Sequence, residues 1–353
     1  MSRFLSKTKT TLTAYVPGEQ PRDKKYIKLN TNESPFKPSK KAVKYARKVL
    51  NGLQLYPDPE VKNLILELAK TYGVKEQNVI TANGSDEILN FIFLAFCDKD
   101  NGVIFPDITY GFYPVFSKLN GVPYAEIPLG ENYEIKVEDY VGANKNIFIA
   151  NPNAPTGLAL SLTDIEKIVS SNKDNIVVVD EAYVDFGGQS AVSLVPKYEN
   201  LIVVGTFSKS RSMAGARLGF AIANEQLILD LKTIKYSVNP YNVNATTYAL
   251  GVATLKDSDY TKKNCQKIIE NREYTTKELR TLGFTVLDSS ANFIFCKSDK
   301  IDGETLYKQL KDKGVLVRHF SKERIKDFVR VTIGNKIEMQ IFIEKVKEIL
   351  ENK

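Results

Sequence analysis

LIVVGTFSKSRSMAGARLGFAIA, running from Leu201 to Ala223, opens on one apolar run and closes on another. The first, Leu201 to Val204, reads as a buried strand, and Gly205 after it as a tight turn. Thr206, Ser208 and Lys209 follow within four residues, and Arg217 opens the second run. A lysine at the end of a buried strand is poorly placed to solvate a surface. It is well placed as a reactive amine, because desolvation lowers a lysine's pKa and frees its lone pair. The adjacent hydroxyls and the arginine are donors for a phosphate. An imine-forming amine beside a phosphate seat is what pyridoxal phosphate requires. On this segment alone, a surface turn of ordinary Ser, Lys and Arg is an equal reading, and the other strand ends must separate the two.

Outward from this stretch, strand and helix patterns alternate. Asn78 to Ala82, Gly102 to Phe105, Tyr124 to Ile127, Ile147 to Ala150 and Ile176 to Val179 read as short strands. They are mostly continuous and β-branched rather than alternating, as parallel strands covered on both faces must be. Helical spacing at Ser85 to Phe96, Tyr110 to Leu119, Leu162 to Ser170 and Asn224 to Lys235 fills the crossovers. The pattern predicts an α/β fold with a doubly wound, mostly parallel sheet, whose ligands lie beyond the strand C-termini.

The flanks read differently. Residues 1–37 are polar and broken by Pro17-Gly18, Pro21 and Pro35, so an extended arm is expected. Ser39 caps a helix reaching Leu50, and an amphipathic helix runs from about Glu60 to Tyr72. From Asn244 to Leu282 the pattern is a long helix with a break near Lys256-Asp257-Ser258. A smaller α+β region follows, with strands near Asn292 to Cys296, Val315 to Val317 and Phe328 to Ile333, and helices Gly303 to Lys313 and Ile337 to Leu350. Residues 38–255 are therefore expected to form a large ligand-binding domain. Residues 1–37 and 256–353 are expected to form an arm plus a small domain.

Composition narrows the function. The 353 residues are 43% hydrophobic and 26% charged, which is ordinary globular usage. The net charge of +7 is spread without a dense Lys/Arg block, which argues against nucleic acid and favours small anionic ligands. Cys97, Cys265 and Cys296 are scattered in apolar sequence and read as buried, reduced thiols. One histidine, His319, excludes a histidine-ligated zinc centre, and no metal is expected. There is no signal-peptide core and no run of membrane-spanning length, so a cytoplasmic protein without membrane contact is expected.

Four polar clusters fall just past buried strands. They are Asn83-Gly84-Ser85-Asp86, residues 151–157 reading NPNAPTG, Asp180-Glu181-Ala182-Tyr183, and Thr206 to Lys209. The first is a glycine turn entering a helix, whose free N–H groups and positive dipole end suit a phosphate. Asp180 ends a valine-rich strand, and a carboxylate buried there needs a partner. A protonated pyridine nitrogen would serve; a helix-capping aspartate is the plainer alternative.

The spaced set of GSDE, NPNAPTG, DEAY and TFSK with a following arginine resembles the fold type I pyridoxal-phosphate-dependent aminotransferases. It is similar in particular to the histidinol-phosphate aminotransferase branch. The resemblance extends from Tyr15 to Val329-Arg330-Val331-Thr332-Ile333-Gly334. It implies that Lys209 forms the imine with the cofactor and shuttles the substrate proton. It implies that Asp180 pairs with the ring nitrogen and that Tyr183 donates to the ring oxygen. Gly84, Ser85, Asp86, Thr206, Ser208 and Arg217 would seat the phosphate, and Tyr110 would stack on the ring. Tyr56, in a Tyr-Pro-Asp-Pro loop, matches a residue that reaches the neighbouring subunit's phosphate, which implies a homodimer with shared sites. Where the family often reads NPNNPTG this chain has Ala154, leaving Asn153 or Tyr183 alone for the ring oxygen. Lys37 stands where the family has glycine, over the substrate pocket, in a segment that begins at Asn32.

The same resemblance assigns Arg318 and Arg330 to anionic substrate groups, with Asn32, Tyr15 and Tyr241 also at the substrate. Both arginines sit at strand ends, and a guanidinium is the natural receptor for carboxylate or phosphate. The reaction implied is transamination between L-histidinol phosphate and 2-oxoglutarate. An aromatic or broad-specificity aminotransferase, and a threonine-phosphate decarboxylase, share the cofactor residues and remain alternatives. A pyridoxal-phosphate-binding transcription regulator would need a DNA-binding module, and no helix-turn-helix pattern precedes the fold.

Overall fold

The computed structural model describes residues 2–10 and 12–351. Met1 and Thr11 of the expected arm, and Asn352 and Lys353 of the expected small domain, lie outside the described residues. Thirteen strands are found among the described residues: β1 (Ile27–Lys28), β2 (Val79–Ala82), β3 (Val103–Pro106), β4 (Tyr124–Ile127), β5 (Asn146–Ala150), β6 (Val177–Asp180), β7 (Leu201–Thr206), β8 (Gly219–Ala223), β9 (Phe284–Val286), β10 (Phe293–Ser298), β11 (Val315–Leu316), β12 (Arg318–His319) and β13 (Val329–Thr332). Strands β2 to β8 form one seven-stranded sheet in the order β2-β8-β7-β6-β5-β3-β4. All its pairings are parallel except those of β8, which runs antiparallel to both β2 and β7.

Successive side chains of these strands go to opposite faces, and each face has its own apolar layer. Val177, Val179, Leu201 and Val203 pack with Leu64 and Leu68 of α2 (Lys62–Tyr72) and with Ile165, Ile168 and Val169 of α5 (Leu162–Ser171). Val178, Ile202 and Val204 pack on the other side. Their neighbours are Ile88 to Phe93 of α3 (Ser85–Phe96), Phe116 of α4 (Tyr113–Asn120) and Ile228 and Leu231 of α6 (Glu225–Val238). Strands covered on both sides explain the unbroken apolar runs. Gly205 corrects one expectation. It is not a turn but lies within β7, opposite Phe220, whose ring would stand 2.2 Å from any Cβ there. Glycine is needed for the close approach, and the chain turns one residue later.

Ser39 caps α1 (Lys40–Arg47), accepting the Ala42 N–H at 3.0 Å. The long C-terminal helix breaks at Asp257 into α7 (Ala245–Lys256) and α8 (Ser258–Thr281), where the sequence anticipates it. A second sheet, β12-β13-β10-β9, is antiparallel. It shares a core with α8, with α9 (Gly303–Asp312) and with α10 (Lys336–Glu351). The N-terminal segment is less extended than expected. Lys7–Lys9 forms a 3-10 turn, and β1 pairs in parallel with β11. Cys97, Cys265 and Cys296 are buried and free, and burial pushes each thiol up to about 12. Among the described residues no helix is long and apolar enough to cross a membrane, and no acidic, His or Cys cluster could hold a metal.

Candidate active site

Register brings the strand ends level. Ala150 pairs with Asp180, and Asp180 with Val204, so the loops after β5, β6 and β7 open onto one edge. They frame a cleft of about 310 Å³ lined by Ser85, Asp86, Tyr110, Asp180, Tyr183, Thr206, Ser208, Lys209 and Arg217 among others. Nine of the residues expected at the cofactor thus meet in one cavity.

Asp180 is 5% exposed. Burial pushes its carboxyl up to about 6, opposed by the Tyr113 hydroxyl, which donates to Oδ2 at 3.2 Å, and by the Ala182 N–H, which donates to Oδ1 at 3.2 Å. The nearby Asp86 charge raises it further, and Lys209 works the other way. A carboxylate in this state is stabilised most by a cation placed against it.

Opposite lies the N-terminus of α3. Gly84 has φ +94°, and a Cβ there would meet the Arg217 guanidinium at 2.6 Å. Arg217, itself left-handed at φ +54°, donates to Asp86 Oδ2 at 3.0 Å, while Tyr110 donates to Asp86 Oδ1 at 2.6 Å. Burial and the Asp86 charge together hold the Tyr110 hydroxyl well above its ordinary range, so it stays a donor. Thr206 and Ser208 hydroxyls lie 3.1 Å apart on the same rim. Helix dipole, two hydroxyls and a guanidinium converge as an anion seat.

Lys209 Nζ donates to the Thr31 carbonyl oxygen at 3.3 Å and stands 5.8 Å from the centre of the Tyr183 ring. The residues after it are anchored. Arg211 donates to Asp185 at 2.9 Å and to the Tyr72 hydroxyl at 3.1 Å, and Ser210 also bonds Asp185. The Tyr183 hydroxyl accepts from Asn32 Nδ2 at 3.0 Å.

Two expected contacts come out differently. Asn153 is buried with its amide committed to the loop: it donates to the Ile108 carbonyl at 2.9 Å and accepts from the Thr109 hydroxyl at 2.8 Å. The cleft is lined at this turn by Ala154 instead. Asn32 is 1% exposed and braces Tyr183 and Thr332 rather than facing a substrate. Tyr56 is 81% exposed and stacks on Tyr241 at 4.5 Å, away from the cleft lining of its own chain. Tyr15 packs on Phe112 at 4.2 Å, next to Tyr110. Arg318 and Arg330 are Cα partners across β12 and β13. Arg330 donates to the Asn30 carbonyl at 3.1 Å, and its buried Nε has no partner among the described residues. His319 contacts the Lys326 carbonyl through Nε2 at 2.7 Å.

Several residues at the site escaped the sequence reading. Tyr113 was legible only as a helix residue, although the TYGFY run carried it beside Tyr110. Glu181 sits beside Asp180 but turns away, accepting from the Ser190 hydroxyl and the Ala191 N–H, each at 2.6 Å. Glu33 and Thr31 line the cleft from the N-terminal segment.

The donor set fits pyridoxal 5′-phosphate: an anion seat at one end, a buried carboxylate awaiting a cation at the other, and an amine between them. On this mixed α/β sheet, these features define a fold type I pyridoxal-phosphate enzyme. The sequence matches the aminotransferase class I and II family over residues 24–346, and the chain belongs to that family. The histidinol-phosphate aminotransferase of Brachyspira hyodysenteriae is 50% identical over 358 residues, covering 100% of both chains. That of Clostridium beijerinckii is 44% identical over 100% of this chain and 99% of its own. Two solved structures share the fold. Histidinol-phosphate aminotransferase from Clostridium acetobutylicum has a TM-score of 0.86 at 24% identity, covering 93% of this chain and 100% of that one. The enzyme from Sinorhizobium meliloti, in complex with pyridoxal-5′-phosphate, has a TM-score of 0.86 at 22% identity, covering 93% and 92%.

Proposed function

We propose that this protein transfers the amino group of L-histidinol phosphate to 2-oxoglutarate, giving imidazole acetol phosphate and L-glutamate, in histidine biosynthesis. The observation that carries this reading is the opposed pair Arg318 and Arg330, without an ion pair among the described residues, with Arg330 packed on Phe293, which in turn packs edge-on against Tyr183 of the cleft. Both substrates carry two negative charges and would be met by that pair. Full-length identity of 50% to a relative bearing this name supports the same choice.

Pyridoxal phosphate, when bound, supplies a carbonyl for the amine and a cationic ring that accepts the electron pair left at Cα. Asp180 keeps that ring cationic by offering a buried carboxylate to its nitrogen, and Tyr113 holds the carboxylate in place. Ser85, Thr206, Ser208 and Arg217 bind the phosphate end. Lys209 Nζ would take the proton from substrate Cα as a general base and deliver it, as a general acid, to the former carbonyl carbon of the cofactor. Tyr183, oriented by Asn32, donates to the ring oxygen. Tyr110 covers the ring and excludes water from one side. Tyr56 completes the phosphate seat of a second copy, so the working unit is a homodimer, and its compartment is the cytoplasm.

A half-reaction test decides among the alternatives. The yellow holoenzyme mixed with L-histidinol phosphate is expected to bleach to the pyridoxamine form faster than with phenylalanine, and 2-oxoglutarate restores the colour. Release of carbon dioxide from threonine phosphate, without this bleaching, would overturn the reading. Lys209→Ala is expected to abolish both steps.

A further inference from the structure

Glu33 places a carboxylate in the cleft with one oxygen unused. Lys28 Nζ at 2.6 Å and the Thr31 hydroxyl at 2.8 Å both donate to Oε2. No hydrogen bond or ion pair among the described residues reaches Oε1. The side chain is 41% exposed, and Glu33 lines the same cavity as Lys209, Asp180 and Tyr183. Burial works to raise its pKa, but the Lys28 and Thr31 hydrogen bonds, with the charges of Lys28 and Lys209, outweigh it and hold the carboxyl below its ordinary range. The group is ionised at neutral pH.

An ionised carboxylate is a strange lining for a cleft that admits dianions. The other two acids there have tasks: Asp86 is paired with Arg217, and Asp180 is buried beneath the ring position. Glu33 lines the cavity with hydrogen-bond partners on one oxygen only, and its charge there repels carboxylates and phosphates. It favours a ligand that brings a hydrogen-bond donor there. 2-Oxoglutarate has none. Histidinol phosphate has two, the amine and the imidazole N–H, and the amine is common to every amino donor.

Building on the histidinol-phosphate reading, we propose that Glu33 is a specificity-determining residue whose free oxygen accepts the imidazole N–H of the amino donor. A site built to hydrogen-bond a substrate N–H discriminates strongly against an analogue that lacks it. The same charge disfavours the keto acid. Glu33 therefore acts with opposite sign on the two half-reactions.

The test compares wild-type holoenzyme with Glu33→Gln, by steady-state and half-reaction kinetics. The amino donors are L-histidinol phosphate and L-phenylalaninol phosphate, which keeps the amine and phosphate but has no ring N–H. The expected result is a loss of about tenfold or more in kcat/KM for histidinol phosphate, a change within about twofold for phenylalaninol phosphate, and an equal or lower KM for 2-oxoglutarate. Equal losses on both donors would place Glu33 at the amine or in loop support and overturn the proposal, as would no loss on either. Should Glu33→Gln fail to fold, Glu33→Asp, which withdraws the carboxylate by one methylene, is expected to show the same selective loss, and an unselective one refutes it. Wild-type enzyme that does not turn over histidinol phosphate removes the underlying reading itself, a failure distinguishable from the others without any variant.

Discussion

Arg318 and Arg330 occupy directly opposed positions on adjacent antiparallel strands, and neither forms an ion pair among the described residues. Like charges facing across a ladder destabilise it. Their remaining contacts are backbone carbonyls and aromatic faces: Arg330 lies 5.3 Å from the Phe293 ring centre and 5.7 Å from that of Phe320. Arg330→Met is expected to raise the KM for either dianionic substrate by roughly 10- to 100-fold, since a charge-assisted contact contributes about 1.5–3 kcal/mol. The melting temperature of the cofactor-free protein should hold or rise, because an unpaired buried Nε disappears with the side chain. A fall in both stability and affinity would mean the arginine is structural.

Tyr113 gives Asp180 its side-chain hydrogen bond. Tyr113→Phe removes the donor while keeping the ring in its packed site. The Asp180 carboxyl, already lifted to about 6 by burial, should move higher, by about one unit, for a hydrogen bond worth ~1.4 kcal/mol. Carboxyl ¹³C chemical shifts of the cofactor-free protein, followed against pH, report this without any turnover. An unmoved midpoint removes Tyr113 from its positioning role.

Glu181 makes the cofactor-free protein sensitive to pH. Burial pushes its carboxyl up to about 8 from an ordinary 4.5, so the folded state keeps a proton that the unfolded chain has released. Its contribution to stability is complete below about pH 4.5 and is lost as pH rises through 8. Asp180 acts in the same sense, but its window closes near 6. Thermal melts of the cofactor-free protein should therefore decline between about pH 6.5 and 8, at most ~1.4 kcal/mol per pH unit for one proton. Glu181→Gln should flatten that decline. A slope that survives the substitution belongs to another group.

Tyr56 tests the homodimer. Its ring is exposed and stacks on Tyr241. Lys209→Ala and Tyr56→Ala homodimers are each expected to be impaired. Subunits of the two variants, unfolded together and refolded, should regain activity in the mixed dimer, where one site keeps both Lys209 and the other chain's Tyr56. No recovery would mean that Tyr56 acts within its own chain or not at all.

The chemistry of the site was largely legible in the sequence, because residues beyond buried parallel strands have one place to go. Lys209, Asp180, Thr206 and Ser208 are at the cleft for that reason. What escaped depends on direction rather than position. Asn153 and Ala154 are adjacent, and only the loop's own hydrogen bonds decide that the asparagine turns inward. The antiparallel course of β8 is set by the reversal of the chain over residues 207–218, which no apolar pattern records. Strand β12 is two residues long, too short for periodicity, so the pairing of Arg318 with Arg330 appears only as register. Glu33 belongs to a segment that reads as a polar arm, and the family resemblance that sets this segment over the pocket gives Glu33 itself no role.

Asn32 gives the molecule a mechanical property. Its amide nitrogen donates to the Tyr183 hydroxyl, at the end of the large sheet, and its amide oxygen accepts from Thr332, on the small one. The residues before it are tied to the small sheet and its neighbour, Leu29 bonding both Leu316 and Thr332 through the backbone, while Thr31 holds Lys209. A displacement of the small sheet would load the hydrogen bonds to the phenol and the amine at once. The segment is a tie-rod that joins the small sheet to both the phenol and the amine.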